Sequence, residues 1–178
     1  MNRAIPDAIR EAIANDILSI EVTTRCNSAC SHCFARAGRT ETHELSADTV
    51  AAIAAEGRRL GYRALHLTGG EPLLWGPPGG CIERVIEFGY ERVFINTNGT
   101  LLTADKARYL AGFGGSVTIS ISLQGPEALH DPVRGSGSFR AAIAGLERAL
   151  AAGIRVSVFT PVGRRLVPHL PRFAEFLF

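Results

Sequence analysis

The sequence predicts an α/β fold: a partial, TIM-like (β/α) barrel of about five parallel strands, incomplete at its C-terminus. Three observations carry that expectation. Short β-rich runs alternate with helical periodicity, no hairpin turn joins neighbouring strands, and each central strand has one apolar and one polar face. Strands without hairpins run parallel through right-handed crossovers. A doubly wound sheet, covered by helices on both sides, reads as nearly continuous hydrophobics. The alternation here leaves a polar face for a lumen instead.

Strands are expected at 17–23, 63–68, 91–97, 116–123 and 154–160. The fourth is the clearest, with Val117, Ile119 and Ile121 on one face and Thr118, Ser120 and Ser122 on the other. The second opposes Leu65 and Leu67 to His66 and Thr68, and the third opposes Val93 and Ile95 to Phe94, Asn96 and Asn98. Between them, helices are expected over 46–61, opened by Ser46, over 81–89, after Thr103, over 138–153 and from about Pro168. The stretch from His130 to Gly135 reads as a Pro- and Gly-rich loop carrying Arg134.

A full eight-fold barrel takes about 250 residues, so 178 residues are expected to form one truncated domain, 1–178. Phe173, Phe176, Leu177 and Phe178 then form an apolar face that the sequence does not cover, unless Ile9 and Ile13 of the N-terminal segment do. Basic residues are scattered, and Lys106 is the lone lysine, so no nucleic-acid footprint is expected. No apolar run is long enough to span a bilayer and no signal peptide is evident, which places the expected location in the cytoplasm.

Cys26, Cys30 and Cys33 fall within eight residues, whereas Cys81 stands apart and reads as a small buried hydrophobe. Thiols so close, in a reducing compartment, point to a soft metal or a cluster. The cysteine loop follows the first strand, Thr68-Gly69-Gly70-Glu71-Pro72 the second, Asn96-Thr97-Asn98-Gly99 the third and Ser122-Leu123-Gln124-Gly125 the fourth. In a parallel barrel these C-terminal ends share one rim, where active sites are built.

Cys26-Asn27-Ser28-Ala29-Cys30-Ser31-His32-Cys33, the Gly-Gly-Glu-Pro run and the Ser-rich fourth strand, in that order, resemble the core of the radical S-adenosylmethionine (radical SAM) enzymes. The match runs from about Ile17 to the fifth strand. The segment from His130 through Arg134-Gly135 to Phe139 further resembles the peptide- and cofactor-maturing members that often carry a cysteine-rich SPASM extension, of which no cysteine set is expected within these 178 residues.

The resemblance implies a [4Fe-4S] cluster held by Cys26, Cys30 and Cys33, with a fourth iron left open for SAM. It implies reductive cleavage of SAM to a 5′-deoxyadenosyl radical, fed by an external electron donor and aimed at a peptide or tetrapyrrole-like cofactor precursor. Gly69 and Gly70 would let the backbone approach the methionine ammonium, with Glu71 adding a carboxylate to that charge. Asn98, Ser120 and Ser122 would face the SAM carboxylate and ribose, Arg134 would pair with the carboxylate, and Phe34 would lie near adenine. No catalytic side chain on the substrate side is assigned.

Two other readings stand beside this one. The chain could be a non-catalytic iron-sulfur or SAM-binding subunit, or a fragment whose barrel a partner subunit completes. It could also be a zinc module, with His32 or His43 joining the three cysteines. Trp75 and the 77–80 stretch read as a rigid loop that either borders the substrate opening or simply connects elements, and Asn98-Gly99 as a strand-to-helix loop rather than a hairpin.

Overall fold

The structure is a computed structural model that describes residues 16–38, 43–75 and 85–178. Ile9, Ile13, Cys81 and the 77–80 stretch lie outside the described residues, as does the 81–84 part of the helix expected over 81–89, of which 85–87 are helical. Five strands form one sheet: β1 (Ile17–Thr23), β2 (Ala64–Gly69), β3 (Arg92–Thr97), β4 (Val117–Ser122) and β5 (Arg155–Phe159). Every pairing is parallel, and the spatial order is the chain order.

That order decides between the two α/β architectures. A doubly wound sheet reverses direction at a switch point, whereas a monotonic order with right-handed crossovers sends every helix to the same side. Besides the 85–87 segment, the described α-helices are α1 (Ala47–Arg59), α2 (Ala104–Ala111), α3 (Glu127–Arg134), α4 (Ser138–Ala151) and α5 (Leu170–Leu177). The sheet face they cover is the apolar one: Ile20, Val22, Leu65, Leu67, Val93, Ile95, Ile119 and Ile121 are all buried in one core cluster. Each such side chain stabilises the fold by roughly 1.5–3 kcal/mol, so burying the opposite face instead would forfeit most of the core.

The other face is polar and concave. Strand register lines up Ser19, His66, Phe94 and Thr118 in one row, and Asn96, Ser120 and Ser157 in the next. Ser19 Oγ lies 3.2 Å from His66 Nδ1, so that histidine belongs to the lumen lining.

Caps set the helix starts where the sequence placed them. Ser46 accepts from the Thr49 amide at 3.1 Å, and Thr103 accepts from the Lys106 amide at 3.3 Å. Small residues let the helices approach the sheet: an added Cβ on Gly57 would strike Leu18, and one on Gly145 would strike the Gly99 carbonyl.

Three expectations change. The segment read as a loop from His130 is helical, because α3 runs to Arg134 despite Pro132 inside it. His130 is 1% exposed and its Nδ1 accepts from the Gln124 amide at 3.2 Å, so tertiary packing overrides the turn-like composition. Asp131 does a second job there: its carboxylate accepts from the Gly137 and Phe139 amides at 2.7 and 2.9 Å, capping α4 where Gly137 has no side chain to do so.

Trp75 is a core anchor rather than part of an exposed rim, being 6% exposed with its indole N–H donating to the Leu45 carbonyl at 2.7 Å. Of the aromatic tail, Phe173 is buried in the core, while Phe176 and Phe178 are exposed. Among the described residues β5 pairs on one side alone, with β4.

Candidate functional site

Parallel strands end together, so the segments after β1 to β4 meet at one rim. The cysteine loop is moored there on three sides. Thr24 N–H donates to the His43 carbonyl at 2.9 Å, and the Gly70 and Glu71 amides donate to the Thr23 and Arg25 carbonyls at 2.6 and 2.7 Å. On the far side, Ser31 N–H donates to the Val133 carbonyl of α3 at 3.1 Å. The loop is thus placed by backbone bonds from β2 and α3, which its own sequence does not contain.

Cys26, Cys30 and Cys33 are free thiols, each partly exposed, on one open cleft. Burial pushes the Cys26 thiol up, against the Ser28 amide bond that favours the thiolate, with Glu71 and the other two sulfurs adding repulsion. Burial also raises Cys30, and the Arg134 cation works against it. A single bound ion would need its sulfurs about 3.8 Å apart. Among the described residues no three His, Cys, Asp or Glu side chains form such a cage. A cubane asks for something different, one thiolate on each of three separate irons. His32 shares the cleft with the thiols, whereas His43 does not line it and serves through its backbone.

Of the other residues singled out by sequence, Phe34, Gly69, Gly70, Asn98, Ser122 and Arg134 line the same cleft. Glu71 and Ser120 do not. Ser120 sits one layer down the concave face, in register with Asn96 and Ser157. The Glu71 carboxylate points inward and is 1% exposed. Its Oε1 accepts from the Leu73 amide at 3.0 Å and the Thr97 hydroxyl at 2.6 Å, and its Oε2 accepts from the Asn98 amide at 2.8 Å. With those lone pairs spent, it is not arranged to meet an ammonium in the cleft.

The glycine pair also has a packing reason beside the expected ligand approach. An added Cβ on Gly69 would strike the Thr23 carbonyl oxygen, and one on Gly70 the Arg25 carbonyl oxygen. What needs the space is the root of the cysteine loop. Asn98 is likewise committed: its Nδ2 donates to Asn27 Oδ1 at 2.8 Å, and its Oδ1 accepts from the Thr100 amide at 2.9 Å. It ties the loop after β3 to the cysteine loop rather than presenting a free amide.

Arg134 is the cation of the cleft. Assigning the Gln124 amide by its hydrogen-bond partners, its oxygen accepts from Arg134 Nε at 3.2 Å and from a terminal nitrogen at 2.9 Å. Gln124 orients the guanidinium without neutralising it, which leaves the full charge for an anion. Burial and then Arg134 lower the His32 imidazole, favouring its neutral form.

Sequence reasoning gave no cofactor role to Thr68, Asn96 or Phe159, which also line the cleft. All three sit on the polar face near strand C-termini, so the two-residue strand period held the signal. Ser28, which no sequence signal separated from a spacer residue, and His32, weighed there as a zinc ligand, line it as well.

Comparisons with known proteins agree with this geometry. The sequence profile of the radical SAM superfamily matches residues 20–177. The chain is 34% identical over 157 residues to an AdoMet-dependent heme synthase of Oleidesulfovibrio alaskensis, covering 86% of this chain and 40% of that protein. It is 33% identical over 159 residues to the mycofactocin maturase MftC of Mycobacterium tuberculosis, covering 88% and 40%. The chain therefore spans about two fifths of these relatives' length. Among solved structures, Streptococcus suis SuiB superposes with TM-score 0.77 at 20% identity, over 91% of this chain and 36% of that one. Native anSMEcpe with bound AdoMet superposes with TM-score 0.74 at 17% identity, over 90% and 48%. At such identities these two establish the shared fold.

Proposed function

Because the chain belongs to the radical SAM superfamily, we propose that it is an enzyme core that binds a [4Fe-4S] cluster and SAM and directs radical chemistry at a peptide or cofactor precursor. The observation that carries this reading is the convergence of three free thiols with the loops after β2, β3 and β4 on one cleft at the strand C-termini. The donor set fits the group: three soft thiolates on one cleft and a cation beside Cys30. When bound and reduced by one electron from an external donor, the cluster with SAM on its open iron supplies cleavage of the sulfonium bond to methionine and a 5′-deoxyadenosyl radical.

The chain's own residues bind, orient and shield. Cys26, Cys30 and Cys33 hold three irons, while the Gly69-Gly70 backbone forms one wall of the cleft. Arg134, aimed by Gln124, and Ser122 receive the SAM carboxylate. Phe34, 80% exposed at the mouth, becomes the cover for adenine, and Phe159 on the β5 side helps keep water from the reacting atoms. Ser120, a layer deeper, faces the substrate side. The concave face beneath, lined by hydroxyl and amide groups, suits a substrate rich in polar groups.

Residues 1–178 are proposed to form one domain, since every described strand contributes to the region of one core, and the free thiols suit a reducing cytoplasm. No described helix is long and apolar enough to cross a membrane. The relatives' names, an AdoMet-dependent heme synthase and a mycofactocin maturase, and SuiB bound to precursor peptide SuiA, supply the substrate classes to try first.

The test is anaerobic reconstitution with iron and sulfide, followed by dithionite and SAM. One oxygen-sensitive cluster and release of 5′-deoxyadenosine are expected. A loaded cluster that never cleaves SAM would replace this reading with a non-catalytic binding subunit, and a colourless protein holding one zinc would discard both.

A further inference from the structure

Glu71 is the most deeply buried acidic group at the rim, and nothing in cofactor binding explains its position. A carboxylate taken out of water costs several kcal/mol unless donors replace the lost hydration. Here three donors supply the replacement: two backbone amides, from Leu73 and Asn98, and the Thr97 hydroxyl. Lys106 lies nearby with its ammonium on the Leu73 carbonyl at 3.0 Å, adding a favourable charge. Burial pushes the Glu71 carboxyl up, and those four groups pull it back toward the ionised form.

The partners form a closed circuit. Glu71's own amide holds the Arg25 carbonyl at the root of the cysteine loop. Its carboxylate holds Thr97 and Asn98 after β3, and Asn98 reaches back to Asn27, the residue after Cys26, at 2.8 Å. A second strand of the same circuit runs from Asn27 Nδ2 to Thr100 Oγ1 at 2.8 Å, with Thr100 bonded to Asn98 Oδ1. Three loops distant in sequence are locked to one another through one side chain, and the locked object is the loop bearing all three thiols.

We propose that Glu71 is a positioning residue that sets the place of the cysteine loop through Asn98 and Asn27, and not a ligand of the SAM ammonium. This rests on the cluster reading for its consequence, though the positioning itself exists in the metal-free protein. Glu71→Gln puts an NH2 donor where one carboxylate oxygen accepted, so at least one of the Leu73, Thr97 and Asn98 donors loses its acceptor, and the loop after β3 is then free to move away from the thiols.

Two measurements separate the possibilities. In the metal-free protein, alkylation of Cys26 by iodoacetamide, followed by mass spectrometry, reads the loop without any cofactor. Glu71→Gln should accelerate it about fivefold or more, and Asn27→Ala, which cuts the far end of the circuit, should do likewise. The double variant should be no faster than the faster single one, as expected for residues acting along one path. In the reconstituted protein without SAM, the same variants should lose iron to a chelator about tenfold faster than the parent. A SAM ligand would behave oppositely, with unchanged alkylation and iron retention and weakened SAM binding alone, and that result overturns the proposal. If Glu71→Gln does not fold, Asn27→Ala carries the same expectation and the same refutation. Failure of the parent to load a cluster counts against the proposed function and leaves the alkylation comparison standing.

Discussion

Replacing Gly70 with Ala tests whether the glycine pair serves the protein's own backbone or its ligand. The added methyl would strike the Arg25 carbonyl oxygen and lie 2.6 Å from its carbon and 2.9 Å from the Thr24 carbonyl carbon. All three atoms are backbone, so no side-chain rotation relieves the overlap. The β2 loop and the cysteine loop must separate, at the expense of the Gly70-to-Thr23 and Glu71-to-Arg25 bonds at 2.6 and 2.7 Å. Overpacking strain of about 1–3 kcal/mol adds to about 0.5–1.5 kcal/mol for each lost bond. The sum, roughly 2–6 kcal/mol, is a large share of a domain's total stability. In urea unfolding of the metal-free protein, with a slope of about 2 kcal/mol per molar, a central loss of about 4 kcal/mol moves the midpoint down by about 2 M. Gly163→Ala is the matched control, because a Cβ there meets nothing within 4 Å, and it should stay within about 0.5 kcal/mol of the parent. If Gly70→Ala also unfolds within that margin and loses only SAM affinity, the loop-packing explanation is wrong and the ligand-approach one returns.

Changing Cys26, Cys30 or Cys33 to Ala should each abolish stable cluster loading, measured as iron per protein, because two thiolates leave the cubane underligated; Cys81→Ala should load normally, and its failure would reassign the ligands. Asp131→Ala removes the acceptor of the Gly137 and Phe139 amides and should cost about 1 kcal/mol in chemical unfolding, the usual worth of an N-cap, whereas Asp131→Asn should recover part of it. Burial, then the Arg134 cation, depress the His130 imidazole from 6.5 to about 4, with Asp131 opposing. Between those values the unfolded chain binds the proton and the folded one does not, so stability falls as pH drops from 6.5 toward 4 and this contribution levels off below. Allowing for solvent screening, the loss is on the order of 1–2 kcal/mol. His130→Asn keeps an acceptor for the Gln124 amide, so its stability should fall less over that window; parallel pH profiles would exclude the effect.

Much of the fold was legible because strands and helices announce themselves by period. Val117, Ile119 and Ile121 against Thr118, Ser120 and Ser122 are enough to say that one face is dry and one wet, and Ser46 and Thr103 mark helix starts by chemistry local to each turn. The same period located the rim, and with it the cleft that the cysteines and Ser122 share, whereas Arg134 was singled out through the family resemblance alone. α3 was not legible, since Pro132 and the flanking glycines speak locally for a loop, and what holds the helix is His130 buried against a strand end six residues earlier.

By itself, then, the sequence determined the parallel α/β alternation, the polar lumen, the three thiols and the set of loops that meet them, because each depends on residue type and spacing along the chain. Only the tertiary structure decided what each rim residue does. Glu71 and Asn98 carry polar groups suited to a ligand, yet their donors and acceptors are taken up by Thr97, Asn27 and Thr100. Gly69 and Gly70 look like room for a cofactor, yet the space is filled by the carbonyls of Thr23 and Arg25. A side chain's hydrogen-bonding capacity is written in its formula, but whether that capacity remains for a ligand depends on which neighbours the fold brings within 3 Å or so of it.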